Sequence, residues 1–246
     1  MTTGAIAFVL CVFFVAGIVK GLVGIGLPTI TLALTSFVLP LSDMIALIAL
    51  PTVVTNLWQA ATGGNFRKIV RRQLPLILPM VVTLLLTMYF IGRKTPQWAF
   101  LVLASILVIY GGLGLLRIRL RIHADLERPL APVIGLISGG VAGLIGVPVV
   151  PLMPYMQGLD IKPAELVQSF GVIVSIASLF LTASLIYYGL LDYRHVLISG
   201  LAIVPAVSGQ MVGAWIRQRL SIEQFRIVVF WALFLTGLYT FAARLL

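Results

Sequence analysis

The sequence predicts an all-α polytopic membrane protein built from two homologous repeats, and three observations carry that prediction. Hydrophobic residues make up 61% of the 246 residues and charged residues only 10%, against about 25% charged in a soluble domain. Such a chain cannot cover itself with polar groups, so lipid must solvate much of it. The charges that are present gather between long charge-free runs. A glycine- and proline-rich interruption then occurs twice, as KGLVGIGLP at 20–28 and as GGVAGLIGVP at 139–148.

The charge-free runs cover residues 1–19, 21–42, 44–66, 73–92, 95–116, 129–159, 166–191, 195–216 and 227–243. A membrane span needs about 20 apolar residues. Backbone groups in lipid must be paired internally, so helix is the default for each run, and no alternating pattern suggests a barrel. The first run lacks the basic region and cleavage site of a signal peptide and is expected to be retained. Thr95-Pro96 and Ser221 with Gln224 read as helix starts. Lys162-Pro163-Ala164-Glu165 places a proline and a carboxylate in a first turn. Gly63-Gly64-Asn65 and Gly189 read as stops. Residues 4–40 and 129–159 do not suit a single helix, and each is expected to be a pair of helical pieces around a break. Whether the pieces cross or re-enter stays open.

The two breaks align. Gly21, Gly24, Gly26 and Pro28 match Gly140, Gly143, Gly146 and Pro148, with one residue inserted before Gly146. Phe66-Arg67 matches Tyr193-Arg194, Pro79 matches Pro205, Thr95-Pro96-Gln97 matches Ser221-Ile222-Glu223, and Gly111 matches Gly237. The chain therefore divides into a first transmembrane repeat at 1–116, a basic connecting loop at 117–130 and a second repeat at 131–246. Each repeat holds a broken or re-entrant pair plus three spans, giving about 8–10 helical segments. If each broken pair counts as two crossings or as a re-entrant hairpin, the number of crossings per repeat is odd and the second repeat is inverted relative to the first, parallel repeats being the alternative. Charge favours this arrangement, although Arg93-Lys94 would be external.

The net charge is +10. Its placement in Arg67, Lys68, Arg71 and Arg72, and in Arg117, Arg119, Arg121 and Arg128, is that of cytoplasmic loops and argues against a nucleic-acid partner. Cys11 stands alone, so neither an intramolecular disulfide nor a thiolate metal site is expected. Every carboxylate falls near a predicted end or in a loop, and His123 and His195 lack companions for metal ligation or catalysis. No phosphate-binding loop is present. An enzyme is therefore not expected, nor is any cofactor.

A helix interrupted within the membrane leaves unpaired N–H groups, with partial positive charge, at the start of its second piece. Glycine admits a ligand to the backbone, and proline starts the new piece without removing a useful donor. Two such breaks suit a small anion. The candidate substrate-binding residues are Lys20, Gly21, Gly24, Gly26, Pro28, Asn56, Gly140, Gly143, Gly146, Pro148, Gln168, Ser169 and Gln210. Glycines at this spacing also allow close helix packing. Lys20 either faces the anion or reaches an interface. The partners expected are a small anionic substrate, the lipid bilayer and a second copy of the chain.

KGLVGIGLP, its echo GGVAGLIGVP, VPLMPYMQGLDIKPAELVQS at 150–169 and GLLDYRHVLISGLAIVPAVSGQMVGAWIRQRL at 189–220 resemble the TauE/SafE family, often called sulfite exporters. The resemblance runs along nearly the whole chain. It implies a multi-pass protein of the bacterial plasma membrane that transports small sulfur-containing anions such as sulfite or organosulfonates. Family members often carry a richer glycine run at the first break, which Ile25 and Leu27 interrupt here. An anion channel, or a carrier of another small organic anion, is the alternative.

Overall fold

The computed structural model describes residues 3–62, 64–91, 96–116, 121–148, 150–217 and 222–245. The predicted caps at Thr95 and Ser221, with Gly63, Arg93, Lys94, Arg117 and Arg119, lie outside the described residues. Ten helices and no strand occur among the described residues: α1 (Thr3–Val23), α2 (Leu27–Thr35), α3 (Leu41–Ala61), α4 (Phe66–Ile91), α5 (Ala99–Leu115), α6 (Ala124–Ile145), α7 (Leu152–Gly158), α8 (Pro163–Tyr187), α9 (Tyr193–Arg217) and α10 (Ile222–Leu245). Six of them, α1, α3, α4, α6, α8 and α9, are long and apolar enough to cross a membrane.

The broken pairs are unequal. Helix α1 has 21 residues and α6 has 22, each enough for the roughly 30 Å hydrocarbon core at about 1.5 Å per residue. Helices α2 and α7 have 9 and 7 residues, roughly 13 and 10 Å. Neither short piece can cross alone, and α2 packs back on α1. Helix α6 also begins inside the stretch expected to be a basic loop. Residues 124–130 wind into helix because Asp125 and Glu127 occupy the first turn, where the helix dipole favours carboxylates.

Other ends follow local chemistry. Gly64 and Gly189 take φ of 75° and 69°. At the end of α8 the Gly189 N–H donates to Ile186 O at 3.1 Å and the Leu190 N–H to Leu185 O at 2.8 Å, a paired closure that needs a left-handed residue between them. Helix α8 opens with Pro163 in its first turn and Glu165 near its positive end. Before α9, Asp192 Oδ1 accepts the His195 N–H at 2.8 Å, and that bond holds the Asp192 carboxyl below the usual range.

The described chain forms two compact units, each drawing helices from both sequence halves. Unit 1 comprises residues 1–51, 96–118 and 191–246, and unit 2 comprises 52–95 and 119–190. These units and the sequence repeats are different partitions of the chain. Helix α3 contributes to both, with the division at Pro51.

In unit 1, α1 and α9 run parallel in close contact. A Cβ at Gly17 or Gly21 would fall on the carbonyl oxygen of Ala206 or Gln210, and one at Gly209 or Gly213 on that of Phe14 or Ile18. Unit 2 repeats the arrangement with the halves exchanged. There α6 lies parallel to α4, with Gly135 and Gly139 against the carbonyls of Leu76 and Met80. Without a hydrophobic drive between helices in lipid, such backbone proximity supplies the van der Waals contact. Helices α5 and α10 run antiparallel, Gly111 lying by Phe230 and Phe234 and Gly237 by Ala104 and Val108.

Pro51 interrupts α3 and leaves Leu47 O without its usual amide. The Ser199 hydroxyl of α9 donates to that carbonyl at 2.8 Å and accepts the Leu50 N–H at 3.3 Å. Ser199 is wholly buried. Ser199→Ala is expected to lower stability by about 1–3 kcal/mol, the penalty of an unpaired buried polar group. Thermal unfolding in detergent measures this, and an unchanged midpoint would refute the assignment.

Candidate functional site

The first break lies within unit 1. Helix α1 closes with the Gly24 N–H donating to Lys20 O at 2.7 Å. Gly24 and Gly26 take φ of 88° and 107°, a region costly for any residue with a Cβ. Gly26 caps α2 without a side-chain bond, Pro28 stands in the first turn, and the Ile30 N–H donates to Gly26 O at 2.8 Å. The Leu27 and Thr29 amides precede the first intrahelical bond, so they belong to the orphan donors of the helix start.

Thr29 adds a donor that sequence reasoning missed. It is 2% exposed, and its Oγ1 has no hydrogen-bond partner. It lines a cavity of about 10 Å³ with Gly26, Ile25, Val23 and Tyr110, room for about one water. Tyr110 and Phe230 form its wall with ring centroids 5.6 Å apart, edge to face. The available signal is a threonine directly after a helix-starting proline. It is a weak one, because threonines in membrane helices usually bond their own backbone, as Thr31 does to Leu27 O at 2.9 Å.

The second break lies within unit 2. Gly146 ends α6 with φ of 83°, its N–H donating to Ala142 O at 2.8 Å. Gly146, Val147 and Pro148 are buried. The following piece, α7, has only two turns. Both breaks thus combine left-handed glycine with a proline two residues on, at Gly26–Pro28 and Gly146–Pro148.

The other candidates separate by role. Gly21 lies against the α9 backbone, and a Cβ at Gly143 would come 2.7 Å from Thr87 Cβ and 2.9 Å from Leu84 O. Gly140 has room, its nearest neighbours being the Thr83 and Thr87 side chains at 3.7 and 3.9 Å. Lys20 is 2% exposed, so its side chain is enclosed by protein instead of extending to a lipid–water interface. Asn56 Nδ2 donates to Thr52 O at 2.8 Å within its own helix. Gln168 Nε2 donates to Ala60 O at 3.0 Å, while Gln59 Nε2 donates to Val167 O at 2.6 Å. These two amides bind α3 to α8 at a crossing where Gly171 meets Ala60 and Gln59. Ser169 is buried and Gln210 half-buried. No cluster of three or more metal-ligating side chains occurs among the described residues.

Long apolar helices, short pieces that stop partway, and left-handed glycines at the interruptions define a polytopic membrane protein of transporter type. The chain matches the family model described as Sulfite exporter TauE/SafE over residues 9–240 and belongs to that family. Membership makes it a multi-pass membrane protein of the sulfite- and sulfonate-exporter type, a family of transporters and not of enzymes. No curated protein and no solved structure matches the chain.

Proposed function

We propose that this protein exports a small sulfur-containing anion, sulfite or an organosulfonate, by alternating access, with the glycine/proline breaks as its substrate-binding elements. The observation that carries the proposal is the start of α2. Left-handed Gly26 and Thr29, whose hydroxyl is unpartnered, line one small cavity, and the Leu27 and Thr29 amides are orphan donors of the same helix start. These donors sit at the positive end of a helix dipole. Gly146 and Pro148 supply the corresponding element of the second half. The cavity holds little more than one water, so the anion enters only when the break opens, as alternating access requires.

Energetics favour the outward direction. A cytoplasm-negative potential drives each negative charge outward by about 2.3 kcal/mol per 100 mV, so export needs no carboxylate at mid-membrane. None of the six described candidate spans carries one in its middle.

Proteoliposomes test the reading. Sulfite flux is expected to saturate, to show counterflow and to accelerate when the imposed potential pulls anions in the direction measured. Flux without saturation or counterflow would indicate a channel. No anion-dependent flux at any potential would overturn the proposal.

A further inference from the structure

A cleft of about 1080 Å³ opens in unit 2 at the starts of α4 and α6, with Tyr155 of α7 on its wall. Its walls carry five cations, Arg67, Lys68, Arg71, Arg72 and Arg128, against one carboxylate, Glu127. Arg72 is engaged by Glu127 through two bonds, Nε to Oε1 at 2.7 Å and Nη2 to Oε2 at 2.8 Å, with Glu165 a further 3.5 Å from Nη1. The Tyr155 hydroxyl donates to Glu127 O at 2.9 Å and fixes the same wall. No ion pair involves Arg67, Lys68, Arg71 or Arg128 among the described residues, and all four are exposed.

The placement of these cations works against helix stability. Arg67, Lys68, Arg71 and Arg72 occupy the first two turns of α4, where the macrodipole favours anions and disfavours bases. The α4 start and the unpaired Arg67, Lys68 and Arg71 thus repel one another until an anion enters. The chemistry matches phosphate, which arginine holds through paired N–H donors.

The surroundings distinguish a lipid phosphate from a free one. The same two helices continue from the cleft into exposed apolar side chains, Leu74 and Leu78 on α4 and Val133 and Leu136 on α6. A headgroup in the cleft would lay its acyl chains along that surface. The positive-inside rule puts these basic starts at the cytoplasmic face, whose leaflet is rich in anionic lipid.

We propose that this cleft is a binding site for the phosphate headgroup of an anionic phospholipid of the cytoplasmic leaflet, with Arg67, Lys68, Arg71 and Arg128 as its ligands and the Arg72–Glu127 pair as its fixed wall. The inference is independent of the transported substrate, because none of Gly24, Gly26, Pro28, Gly146 and Pro148 lines the cleft.

Native mass spectrometry of the full chain, exchanged into an equal mixture of phosphatidylglycerol and phosphatidylcholine, tests it. The wild type is expected to retain phosphatidylglycerol at least tenfold over phosphatidylcholine. R67Q/K68Q/R71Q should lose that preference, and the charge-keeping R67K/R71K should preserve most of it. The single Arg71→Gln variant reads the same effect more weakly if the triple variant does not fold. Equal retention of the two lipids, or an undiminished preference in the neutralised variants, overturns the proposal. Inorganic phosphate in millimolar excess should leave the adduct in place; displacement of the lipid by phosphate would assign the cleft to a soluble anion and overturn the lipid source.

Discussion

Thr29→Val is expected to weaken sulfite binding about tenfold or more while leaving the thermal midpoint unchanged. The substitution keeps shape and branching and removes one hydroxyl. That hydroxyl is buried and has no partner in the protein, so its loss breaks no internal bond. A hydrogen bond to a charged group contributes about 1.5–3 kcal/mol, and 1.4 kcal/mol corresponds to a factor of ten. Removing an unpaired buried polar group should, if anything, stabilise the unliganded protein. Titration of wild type and variant with sulfite, followed by thermal shift, measures both quantities. Equal affinities would remove the Thr29 hydroxyl from the site, and a large fall in the midpoint without ligand would give it a structural role.

Gly21→Leu should prevent folding or lower stability by more than about 3 kcal/mol, beyond the usual penalty of an overpacked core. A Cβ there falls on Gln210 O, with the Ala214 N and Gly213 Cα at 2.7 and 2.9 Å. These are backbone atoms of α9 and cannot rotate aside. The whole α1–α9 contact would have to separate, along with its reciprocal glycines at 209 and 213. Gly200→Ala is the matched control, since nothing lies within 4 Å of a Cβ at that position of α9; it should be neutral or gain up to about 1 kcal/mol. Size-exclusion profiles and unfolding curves separate the two. A folded Gly21→Leu protein with a wild-type midpoint would contradict the parallel α1–α9 packing.

Gly21 and Gly24, three residues apart at the first break, therefore differ in structure, and pattern alone could not separate them. Gly21 and Gly24 both recur in the second half, and both suited either packing or ligand approach. Three-dimensional contact gives Gly21 a packing role, and a positive φ makes Gly24 a backbone requirement of the break. The same holds for the long-range amides. Composition placed Gln168 in a span, but only the fold brings it to Ala60 O across 108 residues of sequence.

The helices themselves were legible, because their signals are local. Charge-free length, proline at a first turn and glycine as a stop at 189 fix α8 (Pro163–Tyr187) almost without reference to the rest. The start of α6 was less legible, because Arg121, Arg128 and Pro129 suggested a loop while Asp125 and Glu127 were already suited to a first turn. The interleaving of the halves into compact units was not legible at all. Matching KGLVGIGLP with GGVAGLIGVP pairs segments in the sequence, but the partner of each helix depends on surfaces that meet only after folding. Thr29 illustrates the limit within the site, since a hydroxyl becomes informative only when its surroundings offer no acceptor.

Amide hydrogen exchange with and without sulfite tests the central claim most directly. If the interruptions present their backbone to the anion, peptides covering residues 24–30 and 144–152 should slow on addition of sulfite, while the α5 and α10 peptides stay unchanged. Saturable sulfite binding with no change in exchange at either interruption would contradict the account.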